Sequence, residues 1–244
     1  MSKHKVITDS EGQGDTIVLL HGFLASSSYW KRLQGHLKRA GYRVVTIDLL
    51  GFGNATKYSA LAYDYTEHVD HIHQHLESLN LNKPFILVGH SMGALLAARY
   101  ASSHPHIVKT VFLLHPPIYK DRKEARETLR NTGKYYRFLL DSRFRNIGWY
   151  VLKRIPISPI GNHSSISREM SLANVIESTE LIKDLGYLQT KTILVVGKRD
   201  RAEYLKNLTD VELNENVLLK IEDISHHSPI FRPKLITQTI VQLS

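Results

Sequence analysis

The sequence predicts an α/β protein, a mostly parallel sheet flanked by helices, and three observations carry that prediction. Six short runs are apolar or β-branched: 16–20 (TIVLL), 42–47 (YRVVTI), 84–88 (PFILV), 110–114 (TVFLL), 192–196 (TILVV) and 217–221 (VLLKI). They are mostly apolar or β-branched rather than strictly alternating, the mark of buried parallel strands. Helix-length segments separate the first four runs and the last two, and 28–40, 65–79 and 92–103 place apolar residues three and four apart, which suits helices covering a sheet.

The elements follow in order. The strand at 16–20 is followed by a helix over 28–40, the strand at 42–47 by a helix over 65–79, and the strand at 84–88 by a helix over 92–103. After the strand at 110–114 the pattern breaks. Between Pro116 and about Leu188 no strand is evident, and several amphipathic stretches are punctuated by PISPIG at 156–161. The expected organisation is therefore a core formed by 1–116 and 188–244, with 117–187 a helical cap inserted after a core strand. No internal repeat is visible.

Composition narrows the class. The chain has 244 residues, 42% of them hydrophobic and 23% charged, enough for one sizeable core. No apolar run approaches the ~20 residues a membrane-spanning helix needs. The N-terminal MSKHKVITDS has neither the apolar stretch nor the cleavage site of a signal peptide, so a cytoplasmic address is expected. There is no cysteine, which removes disulfides, thiolate nucleophiles and Cys-ligated metal sites. The net charge of +9 is concentrated, since residues 119–154 hold eleven basic side chains against four acidic ones.

The chemistry-bearing residues lie at the ends of the expected strands. Gly89-His90-Ser91-Met92-Gly93 follows one strand and opens a helix, so a serine sits on a strand-to-helix turn between two glycines. Glycine on both sides lets strand and helix approach without a Cβ clash, and the hydroxyl stands where free helix N–H groups favour negative charge. His21-Gly22-Phe23 follows the first strand. In a parallel sheet both loops fall at the carboxyl edge, where ligands bind.

With these two motifs the chain resembles the α/β-hydrolase family, and the resemblance implies serine, acid and histidine in that order. Asp200, reached through VVGKRD, resembles the family's acid turn; His226 opens HHSPIFRP and is similar to its histidine loop, with a proline seven residues beyond. Asp48-Leu49-Leu50-Gly51-Phe52-Gly53 resembles the stretch after the next strand. Ser225 stands where the family usually has glycine, and Asn54-Ala55-Thr56 replaces its usual Arg-Ser ending. The segment before Thr16 is too short for the full first hairpin, so six or seven strands are expected rather than eight.

The implied roles are a nucleophile, Ser91; a general base, His226; and an acid, Asp200, that orients the imidazole. The backbone N–H groups of Phe23 and Met92 are the expected oxyanion hole. His227 and Asp223 are the neighbouring rivals to His226 and Asp200, disfavoured by the proline spacing and by the acid turn. His115, at the end of the fourth run, either lines the substrate pocket or is a locally bonded loop histidine. His68, His71, His73 and His75 read as a solvated helix face; His71 and His75 could bind zinc only if a carboxylate joined them. No metal and no cofactor are expected.

Arg122, Arg126, Arg130 and Lys134 recur every fourth residue, where like charges repel. They form either a solvated face or a surface for an anionic partner, such as an acyl carrier, a charged substrate or a membrane surface. Nucleic acid is disfavoured, because the aromatics Tyr135, Tyr136, Phe138, Phe144, Trp149 and Tyr150 fit a packed cap and no recognition motif is present. The resulting expectation is a carboxylesterase acting on small or medium acyl esters. The alternatives are a thioesterase, carbon–carbon hydrolase or lyase on an anionic or carrier-bound substrate, and a ligand-binding protein with an idle triad.

Overall fold

A computed structural model of the chain describes residues 6–10, 12–56, 61–131, 161–209 and 211–244. Its centre is a seven-stranded sheet ordered β1-β3-β2-β4-β5-β6-β7. The strands are β1 (Ile7–Ser10), β2 (Thr16–Leu20), β3 (Arg43–Ile47), β4 (Phe85–His90), β5 (Val108–Leu114), β6 (Thr192–Gly197) and β7 (Val217–Glu222). All six expected strands form, within two residues at either end. The seventh, β1, is a four-residue edge strand that pairs antiparallel to β3, Ile7 opposite Ile47. Every other pairing is parallel. One edge of the sheet therefore collects the carboxyl ends of six strands.

Helices cover both faces. On one face α2 (Tyr65–Glu77) and α3 (Met92–Ser103) pack over Val18, Leu20, Val45, Ile47, Leu87 and Leu113. On the other, α1 (Lys31–Arg39) and α9 (Pro233–Leu243) cover Ile17, Leu19, Val44, Ile86, Val88 and Phe112. Successive residues of β2 thus enter opposite layers, the period-two consequence of a strand buried on both sides. Leu33 and Leu37, one helical turn apart on α1, are fully buried, each burial stabilising the fold by roughly 1.5–3 kcal/mol. The expected helix over 28–40 begins as a 3-10 turn, Ser27–Trp30, before the α-helix proper. Asp64 caps α2 by accepting from the Glu67 N–H at 3.0 Å, which sets where that helix starts.

Within 117–187 the described helices are α4 (Arg122–Asn131), α5 (Ser165–Ser171) running into a π turn (Leu172–Ile176), and α6 (Leu181–Tyr187). An isolated bridge joins Phe52 to His163. Tyr119, Ala125, Leu129, Val175 and Leu185 are continuous with the α2–α3 side of the core. Arg99 on α3 ties α6 down, its Nε donating to Asp184 at 2.8 Å while the guanidinium lies 4.4 Å over the Tyr65 ring. Lys134, the aromatics from Tyr135 to Tyr150 and most of the PISPIG bend lie outside the described residues. After β6 and β7 come α7 (Ala202–Leu208) and the short α8 (Ser228–Phe231), the latter leading into α9. Among the described residues no helix is long and apolar enough to cross a membrane.

Candidate active site

Ser91 sits where β4 ends and α3 begins, with φ 54° and ψ −120°. A side chain at positive φ costs on the order of 1–3 kcal/mol and persists only where the surroundings impose it. Here they do. The Ser91 N–H donates to Leu114 O of the neighbouring strand at 2.9 Å, and its carbonyl accepts from Ala94 and Leu95 in the first turn of α3. A Cβ on Gly89 would collide with the Gly93 carbonyl, and one on Gly93 with the carbonyls of Leu20 and His21. The spacing Gly-x-Ser-x-Gly is thus the steric condition for this turn.

The acid and the histidine arrive from the next strand ends. Asp200, after β6, has a side chain only 4% exposed, and its Oδ2 accepts from His226 Nδ1 at 2.8 Å. Its Oδ1 accepts from the Arg201 N–H at 2.9 Å. Burial alone would raise this carboxyl, but the hydrogen bond from His226 and the close His115 ring outweigh it and hold Asp200 below the usual carboxylate range. It is ionised at neutral pH. The expected pair therefore meets, whereas Asp223 is bound on the surface by Arg199 at 2.7 Å and His227 turns its Nδ1 to the Tyr29 hydroxyl at 3.4 Å. Burial pushes His227 down to about 4.

Sequence reading placed His115 at the end of its strand without deciding its direction. The structure puts it outside the cavity lining, fully buried behind the acid, with Nδ1 3.2 Å from Asp200 Oδ2 and Nε2 2.7 Å from Ser228 Oγ. Burial lowers its pKa, so the ring is neutral. Nε2 is hydrogen-bonded to the serine, while Nδ1 faces the carboxylate without completing a hydrogen bond. One carboxylate oxygen thus lies against two imidazoles. These three residues are also the group whose ligand atoms, within 4.8 Å of one another, could hold a metal ion. The 2.8 Å separation and the ring directions satisfy a proton-bearing hydrogen bond, which a cation would have to displace.

Two further residues escaped the sequence reading. His90 stacks on Tyr29 with centroids 4.7 Å apart, and its Nε2 lies 2.8 Å from the His226 carbonyl and 3.2 Å from the Tyr29 hydroxyl. It pins the backbone of the histidine loop. Its only sequence signal was its place beside Ser91. His21 Nδ1 donates to Gly22 O at 2.8 Å while Nε2 accepts from the Leu49 N–H at 3.0 Å, so the loop carrying Phe23 is held from behind. Asp48 fastens the same region by accepting from Ser27 N–H and Asn54 N–H, at 2.6 and 2.8 Å.

Ser91, Asp200 and His226 all line one cavity of about 460 Å³, together with Phe23, Leu129 and Ile176. Among the described residues the Phe23 and Met92 N–H groups donate to no other group. A cavity with a strained serine, a carboxylate-bound imidazole and two uncommitted backbone donors suits acyl chemistry. The model of the alpha/beta hydrolase fold family matches residues 15–150. The chain belongs to the alpha/beta hydrolase family.

Within that family, the probable lysophospholipase BODYGUARD 4 of Arabidopsis thaliana is 34% identical over 130 residues, covering 50% of this chain and 31% of that protein. The cis-3-alkyl-4-alkyloxetan-2-one decarboxylase of Shewanella oneidensis is 30% identical over 188 residues, covering 72% and 58%. The esterase EaEST from Exiguobacterium antarcticum has the same fold, with a TM-score of 0.72 at 21% identity over 97% of this chain and 93% of that one. The chain spans a third or less of the length of the curated relatives it first matches.

One expectation needs correction within this alpha/beta hydrolase. The α2 histidines are not a solvated face. His68 is fully buried with Nε2 3.1 Å from Ser171 Oγ, and His71 Nε2 donates to Asp48 O at 3.0 Å. His75 Nδ1 donates to His71 O at 2.8 Å, so the i, i+4 pair is bonded to itself, and His73 Nδ1 lies 3.1 Å from the Tyr100 hydroxyl. The row on α4 keeps Arg122, Arg126 and Arg130 exposed, as a solvated face would, while some of their donors bond within the chain. Arg122 Nη2 donates to Ala173 O at 3.1 Å and Arg126 Nε to Glu177 at 2.8 Å, both on the π turn and its end. Arg130 too has a partner. The repulsion anticipated at four-residue spacing is relieved by a carboxylate fifty residues away.

Proposed function

We propose that this alpha/beta hydrolase is a serine carboxylesterase that cleaves small or medium acyl esters, with Ser91 as nucleophile, His226 as base and Asp200 as its orienting acid. The observation that carries the reading is the 2.8 Å hydrogen bond from His226 Nδ1 to Asp200, made at the wall of the same cavity that Ser91 lines. With Nδ1 so held, Nε2 is the atom available to take the Ser91 proton as Oγ attacks the ester carbonyl carbon. The negative charge that develops on the carbonyl oxygen is met by the N–H groups of Phe23 and Met92, each such donor contributing roughly 3–4 kcal/mol. Collapse breaks the ester bond, and His226 returns the proton to the departing alcohol. Water, deprotonated by the same ring, then hydrolyses the acyl-enzyme.

The mostly apolar wall supports an acyl occupant. The test is hydrolysis of p-nitrophenyl esters from acetate to decanoate by wild type, Ser91→Ala and His226→Ala. The expected outcome is a chain-length optimum that disappears in both variants. Fluorophosphonate labelling of Ser91 without turnover of any ester would retain the nucleophile and reject the substrate class; no labelling and no turnover would leave a ligand-binding protein. A second reading, lyase chemistry at the same residues, draws on the relative named as a decarboxylase. Carbon dioxide released in place of free acid would select it.

A further inference from the structure

The cavity wall is apolar at Leu24, Pro117, Leu129 and Ile176, yet it also holds Arg201 and the phenols of Tyr119 and Tyr204. Arg43, Arg99, Arg126, Arg168 and Arg199 each pair with a carboxylate. Arg201 is half-buried and pairs with none among the described residues. Its Nη1 donates to Thr128 O on α4 at 3.1 Å, its guanidinium carbon lies 6.0 Å from the Tyr204 ring centre, and its other side-chain N–H groups have no partner there. A cation beside an apolar cavity with no counter-ion among the described residues is costly unless something else supplies the negative charge.

The two phenols add to this. Tyr119 and Tyr204 are buried with their oxygens 3.1 Å apart. Only one of the two can donate in that bond, so the other proton is left over. Burial raises both hydroxyls above the usual phenol range, so that proton stays in place at any physiological pH. Beside them, Arg201 carries its uncommitted donors in the same wall. A carboxylate or phosphate is the group that uses a guanidinium fork and a phenolic donor together.

We propose that Arg201, together with the spare phenolic proton of the Tyr119–Tyr204 pair, binds an anionic group of the substrate, so that the enzyme prefers esters carrying a carboxylate or phosphate away from the scissile bond. This rests on the serine hydrolase reading and moves the anion site from the α4 basic face, whose Arg122 and Arg126 are engaged within the chain, into the cavity itself.

The test compares kcat/KM within two matched pairs: monomethyl adipate against methyl hexanoate, and a 1-acylglycerol-3-phosphate against the corresponding 1-monoacylglycerol. Wild type is expected to favour the anionic member of at least one pair by about tenfold or more. The first pair carries the charge on the acyl side and the second on the alcohol side, so the pair that responds gives its direction. Arg201→Met is expected to bring the anionic-to-neutral ratio to about one, chiefly through KM. Tyr119→Phe is expected to lower it about threefold, and reads the same site if the arginine variant does not fold. An arginine that merely straps α4 to the acid loop would slow both members alike and leave the ratio intact, which would overturn the proposal. So would a wild type with no preference in either pair. Failure of a fluorophosphonate to label Ser91 would instead reject the hydrolase reading beneath it.

Discussion

The histidines of α2 and those of the strand-end loops are the same side chain, and they differ in what faces the ring. On α2 the buried rings and His75 face neutral oxygens: a serine hydroxyl for His68, a main-chain carbonyl for His71, another for His75. Burial then rules, pushing His68 down to about 3 and His71 to about 4. At the strand ends one carboxylate, Asp200, lies against both His226 and His115. An ionised partner at Nδ1 is what leaves an imidazole able to gain a proton during a reaction. Without one, a buried histidine is a polar strut.

The sharpest way to break this contrast is at the strand ends. Ser91→Ala and His226→Ala are expected to lower ester kcat by about 10⁴–10⁶-fold, and Asp200→Asn by about 10⁴-fold, as in other serine hydrolases. His227→Ala, which lacks the carboxylate contact, should stay within about tenfold of wild type. Equal losses at 226 and 227 would dissolve the distinction. His115→Phe removes the second ring from the carboxylate; kcat is expected to fall about 10- to 100-fold with KM nearly constant. A change confined to KM would show that His115 acts on substrate rather than through Asp200.

On α2 the readout is stability. His68 has a folded pKa far below its unfolded value, so between about 3 and the ordinary 6.5 the unfolded chain binds a proton that the folded chain does not. Stability therefore falls as pH drops through that window, by at most about 1.4 kcal/mol per unit for each such ring. Urea unfolding at pH 7 and pH 5 should show a smaller acid loss in His68→Gln than in wild type, by about 1–2 kcal/mol. Identical losses would mean that another group titrates there. The smallest effect is expected for His75→Ala, whose bond to its own helix is half exposed: about 0.5 kcal/mol at pH 7.

Much of this frame was legible in the sequence because its signals are local. Six strands announce themselves as apolar runs, and the Ser91 turn is written in five consecutive residues. Asp200 and His226 were marked out by short motifs fixed to strand ends, and they lie 2.8 Å apart in the fold. What could not be read was long-range. His68 meets a serine 103 positions away, His115 one 113 away, and Tyr29 reaches His227 across 198, so no window of sequence distinguishes these rings from solvated ones. The edge strand β1 was hidden for another reason: Ile7-Thr8-Asp9-Ser10 is too short and polar to stand apart from a loop. The α4 arginines looked unpaired because Glu177 lies fifty residues downstream.

The left-handed turn at Ser91 also bears on the evolutionary latitude of the protein. Only glycine relaxes at φ 54°, so any nucleophile there holds the fold below the stability its sheet could reach. Ser91→Gly is expected to melt about 2 °C above wild type while losing all turnover, whereas Ser91→Ala, equally strained, gains no such increment. With Ser91 in the proposed role of nucleophile, heat tolerance and reactivity pull on this one residue in opposite directions, and a lineage that lost the need for the reaction would have reason to drift toward glycine at position 91.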